Sequence, residues 1–467
     1  MDATEEETLR KDLKELVPFI IDFTNKTVTE NKLVPKRKQQ YVSFTVESIE
    51  YDKNGLKINK PSGKLVERDE VDPNIMYLLI LPAIQKSDNK RIQEAKEILK
   101  KYGQDQYADN FITTIISETL KKPDFKLEEA DKKIDLFVTQ LKEGTLHFTS
   151  KVEMYGIILS DDTPITLNLN GVKFILRRPR KEDLEFEDFV SKRLFSPTWA
   201  LTDIVPITLI IEANMDAQYG QYIQHIIMKL LTALRLYGVG SVSFSRYNIN
   251  TEAVAQIFYG GTFSNRIDTF NISNRYEINH NDTSTLEQFC LAIFSKLSDN
   301  GDVGGRLDYK NFAFQRYTES LTKQDIHERR IADAVMGLES LYLNANSELS
   351  FRICTLVSKV IGLLGYDDPF YARSFLIDAY NIRSTFIHGN LLSEKARNKL
   401  IENYKSEDAF LSKLLDYLRV SVILYLTTVA DKDSFIALVT DSLVDKKKEE
   451  ELVETHIKPT QQILTKK

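Results

Sequence analysis

The feature that most limits the fold of this chain is a helical repeat of apolar residues that runs through its last third. Beyond Gly305, nearly every stretch up to Val444 carries apolar residues at the spacing of an amphipathic helix. The repeat predicts five helices, at about 325–343, 349–364, 369–388, 393–404 and 408–430. Their short connections favour antiparallel neighbours, and hence an up-and-down bundle. Gly304 and Gly305 are adjacent glycines that resist regular structure, so we place a domain boundary near Gly305.

The first two thirds of the chain mix helices with strands. A helical repeat at 6–26 precedes an alternating stretch that predicts a hairpin, and helical patterns return at about 73–122. From Thr145 the apolar residues alternate as in strands, and Asn170–Gly171 has the composition of a tight hairpin turn. We therefore expect an α+β fold. It comprises a mixed helix and hairpin region at 1–130, a strand-rich domain at 131–305 and an all-α bundle at 306–467.

Composition excludes several classes of protein. The 62 basic and 68 acidic residues give a net charge of -6, which argues against a surface that binds polyanions indiscriminately. Cys290 and Cys354 lie in separate apolar stretches, so neither a disulfide scaffold nor a zinc site is indicated, and a reducing cytosol fits best. The longest apolar runs reach about half of the ~20 residues that span a bilayer. We expect a cytoplasmic protein with no membrane segment, metal or cofactor.

One short motif in the predicted bundle carries candidate chemistry. In YNIRSTFIHGN, Arg383 and His388 flank four residues near the end of the third helix, and Gly389 follows as a C-terminal cap. Five positions on an ideal helix turn through about 500°, which leaves the two side chains roughly 140° apart. They can share one site only if the helix ends or kinks near His388, and Gly389 favours such an end.

An arginine and a histidine together suit cleavage of a phosphodiester. Arginine is a permanently charged fork for phosphate, and histidine exchanges protons near neutral pH. In RNA the 2′-hydroxyl is an internal nucleophile, so a base and a cation can suffice without metal and leave a 2′,3′-cyclic phosphate and a 5′-hydroxyl. One pair supplies one proton-transfer group, whereas the reaction profits from two. We therefore expect a homodimer with two motifs facing each other across a twofold axis.

The same residues also have a structural interpretation, in which the motif is only a helix cap. A histidine in the last turn interacts favourably with the helix dipole, and Arg383 could pair with Asp378 or Glu339. Glu339 lies on an apolar stripe between Leu338 and Leu341, so its carboxylate needs a partner, and an arginine of the bundle is the natural one. A further alternative is a non-catalytic module that binds RNA or a nucleotide in the same basic cleft.

A second basic segment follows a predicted strand and could contact an RNA backbone. Its four cations in five residues are Arg177, Arg178, Arg180 and Lys181. An exposed loop with ordinary charges explains the segment equally well, because Glu182 and Asp183 follow immediately and weaken its field.

Three segments of the bundle resemble a known family. RIADAVMGLESLYL (330–343), ELSFRICTLVSKVIGLLG (348–365) and YARSFLIDAYNIRSTFIHGN (371–390) are similar, in this order, to the HEPN superfamily and within it to the ApeA-like HEPN proteins of prokaryotic anti-phage defence. The signature arginine and histidine of the family fall on Arg383 and His388, its polar residue after the arginine on Ser384, and its helix-borne glutamate on Glu339.

The resemblance implies a metal-independent ribonuclease that stays silent until an infection cue, then cuts host RNA and aborts phage growth. Under this hypothesis His388 is the acid and base, Arg383 stabilises phosphate charge and Ser384 orients them, with Glu339 and Asp378 in support. The expected partners are an RNA such as tRNA, a second copy of the chain and a phage-derived trigger. We expect the strand-rich domain to sense that trigger.

Overall fold

The computed structural model describes residues 2–464 except 53–54, 102–105, 123, 144, 190–205, 217–221, 252–260, 265–274, 306–307, 324 and 345–347. Contacts divide the chain into two compact units. The first comprises Met1–Val152, Pro179–Gly220 and Arg246–Ser264, and the second comprises Glu153–Arg178, Gln221–Ser245 and Asn265–Lys467. The predicted α+β class is confirmed, with the strands in the N-terminal part of the chain and a helical C-terminal region.

The described strands are β1 (Lys36–Thr45), β2 (Ser48–Asp52), β3 (Gly55–Asn59), β4 (Ser62–Val71), β5 (Thr145–Tyr155), β6 (Ile157–Leu159), β7 (Ile165–Leu169), β8 (Val172–Arg177), β9 (Phe186–Phe189), β10 (Ile207–Asp216), β11 (Ser243–Thr251), β12 (Gly261–Ser264) and β13 (Tyr276–Ile278).

The described α-helices are α1 (Ala3–Glu30), α2 (Leu81–Gln85), α3 (Lys90–Lys101), α4 (Gln106–Lys121), α5 (Leu127–Glu143), α6 (Lys181–Leu184), α7 (Tyr222–Tyr237), α8 (Thr283–Phe294), α9 (Tyr309–Thr322), α10 (His327–Tyr342), α11 (Leu349–Leu363), α12 (Pro369–Ile387), α13 (Glu394–Tyr404), α14 (Glu407–Thr428), α15 (Lys432–Asp441), α16 (Lys446–Leu452) and α17 (Lys458–Leu464). Two π-helical segments, Ile75–Ile80 and Val453–Ile457, precede α2 and α17, and a 3-10 turn at His280–Asp282 precedes α8.

The first unit contains helices and a three-stranded antiparallel sheet in which β1 lies between β4 and β9. Helix α1 begins at a capping box, because the side chains of Asp2 and Glu5 each accept a hydrogen bond from the other's backbone N–H. Its apolar face is buried and packs against α3, α4 and α5. The predicted first helix and the hairpin of β2 and β3 are confirmed. Residue 130, where we placed the end of the N-terminal region, lies inside α5.

The second unit contains the hairpin of β7 and β8, whose turn the sequence identifies. Leu169 pairs with Val172 across the turn. Asn170 and Gly171 between them have φ values of 52° and 82°, as in a type I′ turn. Helix α7 packs against α8.

The five predicted bundle helices are confirmed as α10 to α14, with ends within three residues of the expected ones. Helix α9 lies within the predicted all-α region but is not one of the five predicted helices. Its buried face includes the polar residues Asn311 and Ser320, which interrupt the apolar repeat. Helix α10 is central, since it packs against α9, α12 and α14. Its contact with α14 is close at Gly337, where an added Cβ would lie 2.8 Å from Leu418.

Candidate active site at the end of helix α12

Helix α12 ends where the sequence predicts. The Gly389 N–H donates to the carbonyl of Phe386 at 2.9 Å, and the Asn390 N–H donates to that of Thr385 at 3.1 Å. This pair of bonds is a Schellman motif, and Gly389 supplies the left-handed residue that it needs, with φ of 81°. His388 is the C-cap and is exposed to solvent. The geometric condition for Arg383 and His388 to share a site, a helix end at His388, is therefore met.

The start of α12 is equally well defined. The carboxylate of Asp368 accepts hydrogen bonds of 3.0 Å from the backbone N–H groups of Phe370 and Tyr371, and Pro369 occupies the first helical position. Caps at both ends fix the register of the helix, and so fix which residues it turns towards α10.

Arg383 is held by Glu339 of α10. The guanidinium Nη2 donates to Glu339 Oε2 at 2.9 Å, and the two side chains are 22% and 14% exposed. The expected pairing of Glu339 with an arginine of the bundle is thus confirmed. Within the described residues, Arg383 Nε and Glu339 Oε1 are buried without a hydrogen-bond partner. The pair therefore keeps donor and acceptor capacity that the fold does not use.

Burial also changes the proton affinity of this pair. It raises the pKa of the Glu339 carboxyl above its ordinary value, and the charge and hydrogen bond of Arg383 offset only part of that rise. The ring of Tyr380 lies beside the guanidinium, with its centroid 5.6 Å from the central carbon of Arg383. Arg383 is consequently fixed by a carboxylate and an aromatic ring.

The two other candidate residues of α12, Asp378 and Ser384, have different surroundings. The carboxylate of Asp378 accepts a hydrogen bond of 2.8 Å from the hydroxyl of Tyr404 on α13, so it joins α12 to α13 and is not the partner of Arg383. Ser384 is half-buried, and its carbonyl accepts the backbone N–H of His388 at 3.2 Å.

Two apolar side chains lie beside His388 in the sequence and are open to solvent. Ile387 is 49% exposed and Leu391 is 59% exposed. Exposed apolar residues are candidates for a surface that another protein covers. One such residue stands on each side of His388 in the sequence.

The basic segment at 177–181 is divided between the two units, and its two arginines in the second unit have local partners. The guanidinium Nη2 of Arg178 donates to the carbonyls of Leu159 and Ser160 at 2.9 and 2.8 Å. Its Nη1 forms an ion pair with Asp162 Oδ1 at 2.8 Å. Arg177 donates to the carbonyl of Arg178 at 3.1 Å. Arg178 therefore stabilises the turn before β7.

The two cations of this segment in the first unit are exposed. Lys181 Nζ lies 3.4 Å from Glu185 Oε1. The backbone N–H of Arg180 donates a hydrogen bond of 2.7 Å to the carboxylate of Asp183. The acidic residues that follow the segment in sequence are thus close to it in space, and they weaken its field as expected.

Sequence reasoning missed a second arginine that is important to the bundle. Arg419 of α14 is 1% exposed, and its Nε and Nη2 lie 2.7 and 2.6 Å from Asp416 Oδ1. Its Nη2 also donates to the Tyr366 hydroxyl at 3.1 Å, and its Nη1 donates to the carbonyl of Leu236 at 2.7 Å. The usable signal was a pair of charges three positions apart in an otherwise apolar helix.

Arg419 belongs to a set of side chains that bind the carbonyl groups at the end of α7. The hydroxyl of Tyr276 donates to the carbonyl of Leu234 at 2.7 Å, and that of Tyr317 donates to the carbonyl of Arg235 at 2.8 Å. A buried helix end needs such partners for its last carbonyls. Side chains from outside the helix thus satisfy the end of α7.

The described residues contain neither a metal-ligand cluster nor a membrane-spanning helix. Over the described ranges, no three His, Cys, Asp or Glu side chains group as metal ligands. In the same residues, no helix has both the length and the apolar character needed to cross a bilayer. Comparison of the chain with protein-family models, with curated proteins and with solved structures found no match.

Proposed function

We propose that this protein is a metal-independent endoribonuclease of the HEPN type that acts in anti-phage defence. The observation that carries the proposal is the end of α12, where an exposed histidine caps a helix whose preceding turn bears an arginine fixed by a carboxylate. Glu339 holds the guanidinium of Arg383 in place, and a pre-positioned cation is effective at stabilising the charge that develops in a transition state.

The proposed reaction needs one proton acceptor and one proton donor. His388 takes the proton from the 2′-hydroxyl, the 2′-oxygen attacks the neighbouring phosphorus, and the bond from phosphorus to the 5′-oxygen breaks. Arg383 stabilises the extra negative charge on the phosphorane. The histidine of a second copy gives a proton to the leaving 5′-oxygen, so the products are a 2′,3′-cyclic phosphate and a 5′-hydroxyl.

A homodimer is part of the proposal, because one chain offers one such histidine. The exposed Ile387 and Leu391 on either side of His388 support it, since a second copy would cover them while bringing its own histidine close. Asp378 and Ser384 support the site indirectly, through the contact of α12 with α13 and through the helix end.

The wider role rests on the family resemblance. In this proposed role, the substrate is a cellular RNA such as tRNA, and the strand-rich domain senses a phage-derived trigger. Cleavage of the RNA then aborts the infection. The exposed Arg180 and Lys181 are additional candidates for contact with RNA, which binds cations through its backbone.

The test measures cleavage and binding in parallel on a labelled RNA. Arg383→Ala and His388→Ala should each lose cleavage while remaining folded, whereas Arg329→Ala and His327→Ala, two residues of α10 outside the motif, should cut like the wild type. Full activity of either motif variant would overturn the site. Saturable RNA binding by the wild type without new 5′-hydroxyl ends would instead establish the alternative, a non-catalytic RNA- or nucleotide-binding module.

A further inference from the structure

The ring of Tyr380 lies against Arg383, one turn earlier on α12. Residues three apart on a helix are neighbours on its surface, and the Arg383 Cζ atom lies 5.6 Å from the centroid of the ring. This distance is within the reach of a cation–π interaction, which is stronger where the pair is partly shielded from water. Tyr380 and Arg383 are both half-buried. The ring is therefore a second contact of a guanidinium that also binds Glu339.

The phenol of Tyr380 is close to Glu339 as well as to Arg383. Burial raises the pKa of Tyr380 above its ordinary value, and the negative charge of Glu339 raises it further, while the positive charge of Arg383 offsets part of the rise. The phenol therefore stays neutral near physiological pH. Tyr380 thus belongs to one group with the ion pair that joins α10 to α12.

A single hydrogen bond does not fix the plane of a guanidinium. Within the described residues, Arg383 Nη2 donates to Glu339 Oε2 at 2.9 Å, and Arg383 Nε has no partner. Rotation about this one bond would turn the other N–H donors away from a phosphate, because the donors of a guanidinium lie in one plane. The ring of Tyr380 is placed to limit that rotation.

A second arginine–aromatic pair of the bundle is held differently. On α9, the Cζ atom of Arg316 lies 4.9 Å from the centroid of the Phe312 ring. Arg316 Nη1 also lies 2.8 Å from Asp333 Oδ1 and 3.1 Å from Glu319 Oε2. Two carboxylates hold this guanidinium, so its orientation does not depend on the ring. Arg383 has one carboxylate, and the ring beside it contributes correspondingly more to its orientation.

We propose that Tyr380 is a positioning residue of the nuclease site, whose ring keeps the guanidinium of Arg383 oriented towards the scissile phosphate. The inference rests on the proposed function, in which Arg383 stabilises the charge that develops on the phosphorane. Tyr380 acts through Arg383 and takes no part in proton transfer. The face of the ring suffices for this role, and the hydroxyl is not needed.

Cleavage of a labelled RNA by the full-length protein, over a range of RNA concentrations, tests the proposal. Tyr380→Leu should lower kcat about tenfold and leave KM within about twofold, because the lost orientation matters when charge develops. Tyr380→Phe keeps the ring and should have the kcat of the wild type. The matched control is Phe312→Leu, which removes the other ring and should cut like the wild type. Equal losses in Tyr380→Phe and Tyr380→Leu, or an unchanged kcat in Tyr380→Leu, would overturn the proposal.

Combination with Arg383→Ala tests whether Tyr380 acts through the arginine. If it does, adding Tyr380→Leu to Arg383→Ala should lower kcat no further, since the contact has already been removed. A further tenfold loss in the double variant would overturn the proposal. Urea denaturation measures the folded fraction of each variant, and a fall in kcat that is matched by a loss of folded protein would overturn it as well.

The mobility of the guanidinium separates failure of this inference from failure of the proposed function. NMR of protein labelled in its arginine side chains measures how fast the Arg383 guanidinium rotates about its Cζ–Nε bond. Rotation should be faster in Tyr380→Leu than in the wild type and Tyr380→Phe. This order in a protein that cuts no RNA would support the hold of Tyr380 on Arg383 and contradict the nuclease. Equal rotation rates in a protein that does cut RNA would overturn the inference alone.

Discussion

Arg419 and Arg383 each form an ion pair in the same bundle, yet the fold uses them differently. Arg419 is almost fully buried, and each of its three guanidinium nitrogens has a partner: Asp416, Tyr366 or the end of α7. Arg383 makes one hydrogen bond, to Glu339, and its buried Nε has no partner in the described part of the chain.

The difference separates a structural arginine from a candidate functional one. Burial alone would lower the pKa of Arg419, but Asp416 and nearby tyrosines raise it above the ordinary value, so the charge is securely held. An unpaired buried donor is costly, but it does not by itself mark a functional arginine, because Arg330 Nη2 and Arg352 Nε of the same bundle are also buried without a partner among the described residues. Under the proposed function, Arg383 differs from these residues by its position one turn before the exposed His388 at the end of α12.

The largest expected effect is on stability, at Arg419. Arg419→Met keeps much of the apolar bulk, but it leaves the carbonyls of α7 and the hydroxyl of Tyr366 without their donor. We expect the free energy of unfolding to fall by about 3–5 kcal/mol, as when one partner of a buried ion pair is removed. Urea denaturation measures this loss. The control is Arg329→Met at an exposed position, for which we expect the free energy of unfolding to change by less than about 0.5 kcal/mol. An equally small change in Arg419→Met would contradict the contrast between the two arginines.

The next effect is on activity, at Arg383. Arg383→Ala should lower the rate of RNA cleavage by about 10²–10³-fold, the usual loss when a group that stabilises transition-state charge is removed. Its unfolding free energy should change much less than that of Arg419→Met. Arg383→Lys keeps the charge without the planar fork and should recover part of the rate. If Arg383→Ala cuts RNA at the wild-type rate but has a much lower free energy of unfolding, then Arg383 is a second structural arginine.

The Arg383 side of this contrast could be predicted from sequence, because it depends on local signals. Gly389 fixes the end of α12, and the apolar repeat gives the bundle helices closely. Pairing of Glu339 with an arginine also follows from its place on an apolar stripe. Local patterns carry this information because helix caps and faces involve residues close in sequence.

What the sequence did not reveal depends on contacts between distant segments. The hydrogen bond from Arg419 to the carbonyl of Leu236 joins residues 183 positions apart, and no local pattern marks such a pair. The same holds for the choice between Asp378 and Glu339 as the partner of Arg383, which the packing of α12 against α10 decides. Helix α9 was missed because buried polar residues interrupt its repeat.

A smaller effect is expected where a single hydroxyl is removed from the end of α7. Tyr317→Phe keeps the buried ring but leaves the carbonyl of Arg235 without its hydrogen bond of 2.8 Å. The free energy of unfolding should fall by about 1 kcal/mol, the usual net contribution of one hydrogen bond. Denaturant titration of this variant and of Arg419→Met together shows whether the two act on the same helix end, since their losses should then not be additive.

The smallest effect is a pH dependence from Glu339. Because its pKa is raised in the folded state, folded protein keeps this proton to higher pH than the unfolded chain does. The resulting stability is complete below the ordinary value of 4.5 and is lost as pH rises through the folded pKa. Glu339→Gln removes this titration. As pH rises from about 4 to about 7, the free energy of unfolding of the wild type should therefore fall relative to that of Glu339→Gln. A relative rise would show that the charge of Arg383 lowers the pKa of Glu339 more than burial raises it.

The central claim is that Arg383 and His388 cut RNA at the end of α12. The most direct measurement maps the fragment ends of cellular RNA during phage challenge, in bacteria that express the wild type or His388→Ala. The account predicts new fragments with 2′,3′-cyclic phosphate and 5′-hydroxyl ends in the wild type alone. The same fragments in His388→Ala, or new ends that carry a 5′-phosphate, would contradict it.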